Sequence, residues 1–180
     1  MWIRKRALIG TLVTLCAIGP GAWAQAPGEE DFKAGQQAYR QDDLITAMEH
    51  LNRAVEKGHV EATYFLGYVL DKAEENEEAA KMYQRAAEQG NHEAQLALGG
   101  FYAVGEGVEK NIDRARELIE QAANAGHVPA MIVLAKAYQK GDLGLQKDLE
   151  AARRWLERGI ELGDESAKVE MELLEKAAKQ

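Results

Sequence analysis

The chain has 180 residues, a formal net charge of −8 and one cysteine, Cys16. The acidic balance argues against nucleic acid and anionic membrane surfaces as partners, because both call for clustered cations. A lone cysteine excludes an intrachain disulfide and any paired-thiolate metal site.

The first segment carries Arg4, Lys5 and Arg6, then an apolar run from Ala7 to Ile18. Pro20 and Gly21 break the run, and Ala22-Trp23-Ala24 supplies a small–x–small cleavage site. The pattern predicts a secretory signal peptide over 1–24, with Gln25 as the new N-terminus and the periplasm as destination, secretion being the second choice. The run is too short to span a bilayer, so no integral membrane segment is expected after cleavage. An uncleaved anchor is the alternative. Lipidation at Cys16 would want a small residue before it, and Leu15 stands there. Cleavage would remove the cysteine and three basic residues, changing the net charge from −8 to −11. It would leave 156 of the 180 residues, enough for one domain with a sizeable core.

Residues 25–30 read as a disordered lead. From Asp31 onward alanine, leucine, glutamate, lysine and glutamine dominate, and no stretch alternates over strand length. Glycines fall mostly between periodic segments, as helix stops should. The first helices of successive pairs are expected near 31–41, 60–72, 92–104 and 128–140. The second helices are expected near 43–57, 76–89, 111–125 and 147–162, and a final capping helix near 165–178.

A glycine followed four residues later by alanine recurs as Gly58/Ala62, Gly90/Ala94, Gly126/Ala130 and Gly163/Ala167, at spacings of 32, 36 and 37. Such a period marks stacked repeats. Aligned on these glycines, the second helices show four columns. They are Ala47, Ala79, Ala115 and Ala152; Leu51, Tyr83, Ile119 and Leu156; Ala54, Ala86, Ala122 and Gly159; and Val55, Ala87, Ala123 and Ile160. Offsets of three, four and seven place them on one face, which reads as core. On the first helices, Ala62, Ala94 and Ala130 are followed by Leu66, Leu98 and Leu134, then Gly67, Gly99 and Ala135. A recurring mid-helix glycine, at a cost of about 1 kcal/mol, predicts a close helix crossing there.

Ala94-Gln95-Leu96-Ala97-Leu98-Gly99, Tyr102, Gly105-Glu106-Gly107-Val108, Asp113, Ala115, Ala122-Ala123 and Gly126 resemble one unit of the Sel-one-like repeat family, relatives of tetratricopeptide repeats. The unit over 127–163 keeps Leu134, Tyr138, Gly141, Asp148, Ala152, Trp155 and Gly163, but has Ala135 for glycine and Asp142-Leu143-Gly144 in its turn. Gly35 to Ala47 and Gly67 to Ala79 are each 12 residues, whereas Gly99 to Ala115 is 16. Two tight units are therefore expected before two with enlarged hairpin loops. The resemblance implies an all-α, right-handed α-solenoid of stacked antiparallel hairpins. Its units would be about 31–58, 59–90, 91–126 and 127–163, with a cap at 164–180.

Chemistry is scarce. Beyond residue 24 there is one serine, Ser166, and two threonines, Thr46 and Thr63. Ser166 opens the last helix and lacks a histidine partner. His50, His59, His92 and His127 fall in separate repeats or successive turns and are not expected to converge on a metal. Gly105 to Lys110 lacks the preceding strand of a phosphate loop and reads as an interhelical turn. The carboxylates Glu74, Glu75, Glu77 and Glu78 read as a solvated face. No catalytic residue, metal ligand or cofactor is assigned.

By resemblance, the first helices line a concave groove. Its candidate ligand residues are Tyr39, Tyr64, Tyr68, Lys72, Lys136 and Lys140, with Phe32, Gln36, Arg40, Asp71, Leu96, Gly100, Ala103, Ile132 and Gln139 beside them. Tyrosine offers contact area plus a hydroxyl, a mix common at binding hot spots, and the lysines would orient carboxylates. The tyrosines could equally be interhelical core. The expected function is an exported, non-enzymatic scaffold or adaptor binding a peptide or partner protein, of unknown oligomeric state. Two alternatives stay open. One is a scaffold for envelope glycans. The other is hydrolysis, since some cysteine-rich members of the family are linked to β-lactams; their paired cysteines and a Ser-x-x-Lys motif are absent here.

Overall fold

The computed structural model describes residues 26–177. The signal-peptide expectation for 1–24, Gln25 and the end of the cap at 178–180 lie outside them. Among the described residues there are nine helices and no strand. They are α1 (Glu29–Arg40), α2 (Leu44–Glu56), α3 (Val60–Lys72), α4 (Asn76–Glu88), α5 (His92–Val104), α6 (Ile112–Asn124), α7 (Val128–Lys140), α8 (Leu149–Glu161) and α9 (Glu165–Ala177). Each packs on its neighbours in sequence, and α9 also reaches α7. The result is an all-α solenoid of four antiparallel hairpins followed by α9.

The recurring glycine ends each second helix. Gly58, Gly90, Gly126 and Gly163 all have left-handed φ, between 82° and 99°. In each case the next residue's N–H returns to the carbonyl five residues back, as from His59 to Ala54 at 3.1 Å and from Asn91 to Ala86 at 3.0 Å. That bond satisfies a carbonyl the helix would otherwise orphan. After three of the four glycines the same following residue then caps the next helix, His127 being the exception. Asn91 Oδ1 accepts from the Ala94 N–H at 2.7 Å, and Asp164 Oδ1 from the Ala167 N–H at 2.9 Å. Stop and start are thus two adjacent residues, and the second fixes the alanine that opens the next packing face.

The aligned columns are the core. Ala47, Ala79, Ala115 and Ala152 have no exposure, and Leu51, Tyr83, Ile119 and Leu156 have at most 2%. The mid-helix glycines face these large residues. A Cβ on Gly35 would stand 2.8 Å from Leu51 Cγ, on Gly67 2.8 Å from Tyr83 Cδ1, and on Gly99 2.7 Å from Ile119 Cγ1. The hairpin therefore closes by seating one large side chain on a bare patch of backbone, which brings the axes near.

Hairpin length divides the stack as spacing predicts. Units one and two turn through 41–43 and 73–75, whereas units three and four use 105–111 and 141–148. The long loops dock on the preceding unit. A Cβ on Gly107 would overlap the Asn76 carbonyl oxygen at the start of α4, and Asn76 Nδ2 donates to Glu106 at 3.1 Å. One unit on, Arg116 of α6 donates to the Leu143 carbonyl at 3.0 Å.

Two local expectations are corrected. Glu29 and Glu30 belong to α1, not to an extended lead. Their negative charge suits a helix start, and Gly28 before them lies close against Ala54. His59, which the family resemblance places in the loop after the stop glycine, is not open to solvent. It is 6% exposed and caps α3, with Nδ1 accepting from the Ala62 N–H at 3.2 Å. The ring proton is then on Nε2, which donates to Glu29 at 3.0 Å.

Candidate functional site

The first helices are short, uniform and parallel in sequence pattern, so residues at equal distance from the stop glycine form rows across the stack. Six residues after it stand Tyr64, Leu96, Ile132 and Val169; ten after it stand Tyr68, Gly100, Lys136 and Leu173. These rows lie outside the packing columns. The second, third and fourth units differ sharply in them, and only the first two units fill this face with aromatic rings.

There the structure opens a cavity of about 390 Å³, lined by Gln36, Tyr39 and Arg40 of α1 and Tyr64, Phe65 and Tyr68 of α3. Three of the six candidate ligand residues, Tyr39, Tyr64 and Tyr68, thus share one wall. Their rings are ordered by one another. Tyr39 meets Phe65 edge-on at 5.4 Å and Tyr68 at 5.9 Å, and Phe65 stacks on Tyr68 at 5.8 Å. Such contacts are worth about 0.5–1.5 kcal/mol each beyond area burial. The tyrosines are half-buried and pack on the core beneath while their outer surfaces line the cavity. Core and surface roles coexist in the same rings. Phe65 was not among the expected groove residues. Its signal was weak, because the same row holds Ala97, Val133 and Glu170 in the other units.

Three tyrosine hydroxyls here, on Tyr39, Tyr64 and Tyr83, are held in the protonated form. The Tyr68 hydroxyl beside it pushes the Tyr39 pKa up, with burial adding to the shift. Burial pushes Tyr64 up, reinforced by the Glu93 carboxylate. Tyr83, below them on α4, is pushed up most, chiefly by burial, and its hydroxyl donates to Asp71 at 3.4 Å.

Two cations edge the cavity. Arg40 and Lys72 end α1 and α3 at matching positions. The Lys72 ammonium lies 5.5 Å from the centre of the Tyr68 ring, within cation–π reach. The ion pairs of the described residues include no carboxylate partner for either cation. The unit-four lysines lie apart from this cluster. Lys136 Nζ is 2.7 Å from Glu170 of α9, so it is already neutralised within the chain. Lys140 is exposed at the end of α7. Leu96 and Ile132 are half-buried on α5 and α7, and Gly100 is exposed with open space above it.

Elsewhere the chemistry stays dispersed. Ser166 is exposed behind the Asp164 cap, and the Glu74 to Glu78 carboxylates are exposed. Among the described residues, no group of three His, Asp or Glu side chains is placed to hold a metal ion. No helix among them is long and apolar enough to cross a membrane.

Comparison with known proteins meets this geometry repeat by repeat. The Sel1 repeat model matches residues 34–59, 60–91, 92–127 and 128–164. An exopolysaccharide production negative regulator of Rhizobium meliloti is 30% identical over 76% of this chain and 57% of its own. The ERAD-associated E3 ubiquitin-protein ligase component HRD3A of Arabidopsis thaliana is 29% identical over 69% of this chain. The chain spans about a fifth of the length of HRD3A, 21%, so the likeness concerns the repeats. Among solved structures, a Sel1 repeat protein from Oxalobacter formigenes superposes with a TM-score of 0.69 at 30% identity, covering 75% of this chain and 57% of that one. A protective antigen of uropathogenic Escherichia coli strains, displaying an SLR fold, gives 0.70 at 27% identity, covering 79% and 32%. With four matched units, each closed by the same glycine stop and the same buried alanine columns, the chain belongs to the Sel1 repeat family.

Proposed function

We propose that this protein is a non-enzymatic scaffold or adaptor that binds a peptide or partner protein on its first-helix face, at the end formed by units one and two. The observation that carries the reading is the aromatic cavity edged by Arg40 and Lys72. It combines rigid amphipathic rings with cations that are not engaged by the ion pairs of the fold. Aromatic and arginine side chains dominate binding energy at protein interfaces. A relative that is a component of a ubiquitin-ligase assembly supports an interaction role.

Replacing Tyr64 and Tyr68 together by alanine tests this reading. The double variant should keep its helical circular dichroism while losing stability, roughly 2–4 kcal/mol for two half-buried rings. Folded variant should no longer retain, from an envelope extract, the proteins that the wild type retains and that dissociate on adding free wild type. Loss of stability with undiminished retention per folded molecule would sink the reading.

The site of action we propose is the cell envelope, reached by export. The support is the basic, apolar and small-residue succession of residues 1–24. Mass spectrometry of the N-terminus in a periplasmic fraction should find Gln25 first. An intact Met1 in the cytoplasmic fraction would contradict export. A glycan scaffold in the envelope has the same aromatic surface in its favour, and isolated exopolysaccharide competing with the retained proteins would favour it.

A further inference from the structure

The cavity between α1 and α3 is at the small end of the range, about 300–1,000 Å³, in which proteins enclose small ligands. It is an open depression of about 390 Å³, large enough to seat one large side chain. Its walls are the rings of Tyr39, Tyr64, Phe65 and Tyr68. Above them, Arg40 and Lys72 stand at the same row of adjacent units, both in the last turn of their helices. Three carboxylates are near, and none pairs with these cations. Asp71 accepts from the Tyr83 hydroxyl toward α4, Asp42 sits in the α1–α2 turn with a left-handed φ of 58°, and Glu93 of α5, which acts on Tyr64, lies 3.9 Å from His127.

The same face does not repeat this arrangement. The matching positions of unit three are Leu96, Gly100 and Val104, with no charge and no ring. Those of unit four are Ile132, Lys136 and Lys140, and Lys136 is taken up by Glu170 at 2.7 Å. The chain as a whole is acidic at −8, so a long acidic tract would be repelled away from this one cationic rim. A single carboxylate beside an apolar anchor would not.

Resting on the binding reading above, we propose that this cavity receives one aromatic side chain of a partner peptide and that Arg40 and Lys72 pair with an isolated carboxylate next to it. The ring of the anchor packs among the tyrosines, where geometry favours edge and offset contacts. The carboxylate lies over the rim, where the guanidinium of Arg40 can engage it bidentately and Lys72 as a point charge. Recognition is then a two-residue pattern of anchor and acid, set by units one and two alone.

Three capped peptides with the same Gly/Ser flanks test this by NMR titration of the folded protein: one centred on Phe-Glu, one on Phe-Lys and one on Ala-Glu. The Phe-Glu peptide should shift the amide signals of Tyr39, Phe65 and Tyr68 and bind about ten-fold tighter than either of the others, the size expected of one well-placed charge pair against Phe-Lys and of one aromatic anchor against Ala-Glu. Charge reversal at the rim, Arg40→Glu with Lys72→Glu, should turn the preference toward the Phe-Lys peptide. Lys136→Glu should leave it unchanged. Both variants alter exposed positions, so their folding is checked by the unchanged signals of the remaining core. Equal binding of all three peptides, an unreversed preference, or no shift at millimolar peptide would overturn the proposal. Shifts confined to Leu96, Ile132 and Val169 would overturn this pocket while leaving the first-helix face as the binding face. Shifts on α2 and α4 instead would overturn both.

Discussion

Asp31 shows what a single charged residue does at the start of the stack. Its carboxylate takes Lys57 Nζ at 2.5 Å and Arg53 Nε at 3.1 Å, joining α1 to the end of α2. Hydrogen bonds from Lys57, then Arg53, hold its pKa at about 2 against an ordinary 3.8. The fold favours the charged form, so the pair's stabilisation is complete above about pH 4 and is lost as pH falls from there toward 2. Urea unfolding at stepped pH should show stability dropping through that window, and Asp31→Asn should flatten the drop. An equal acid limb in both proteins would show that other carboxylates govern it. Glu74 illustrates the opposite economy. It stands in the middle of the α3–α4 turn with a left-handed φ of 62°, a conformation poor for a side chain with a Cβ. Unit three places Gly105 at its own turn with a φ of 85°. Glu74→Gly should therefore raise stability by about 0.5–1 kcal/mol, strain relief exceeding the added freedom of the unfolded chain, as read by the urea midpoint.

Each hairpin is legible from its spacing, because stop, cap and packing face recur at fixed offsets. The alanine and leucine columns are almost wholly buried, and the helix bounds fall within a few residues of expectation. Contacts that bridge units were not legible, since no local pattern encodes them. Gly107 reads as turn chemistry in sequence, yet it lies against the backbone of Asn76 and Glu77 in the unit before. Gly107→Ala would drive a Cβ into that backbone at a φ of 63°. It should cost on the order of 2–4 kcal/mol, combining overpacking with left-handed strain, measured by urea unfolding. A change below a few tenths would mean that the loop does not hold this docked position. The internal pairing of Lys136 was hidden for a similar reason. Its partner Glu170 is on α9, and nothing on α7 announces it. The tyrosines were half legible: their row on the helix face was evident, but the shared cavity depends on α1 and α3 standing side by side.

The whole molecule follows from these neighbour contacts. Stability in such a stack is close to a sum of unit and interface terms, and the terms here are carried chiefly by the buried columns, on which the rings of the proposed binding face rest. Where earlier first helices present Gly67, Gly99 and Ala135 to their hairpin partners, α9 carries the exposed Glu172 at the matching position. Apart from loop length, what distinguishes one unit from another is concentrated on the first-helix face. Its aromatic residues fall in units one and two, beside Arg40 and Lys72, whereas Lys136 of unit four is paired with Glu170. Photocrosslinking in living cells tests this most directly, with a probe placed at Tyr68 on the binding face and, separately, at the exposed Gln84 of α4. The account predicts a discrete protein adduct from Tyr68 that disappears when Lys72→Glu is added and persists with Lys136→Glu, and no such adduct from Gln84. An adduct from Gln84 of equal yield, or one from Tyr68 indifferent to Lys72→Glu, would contradict it.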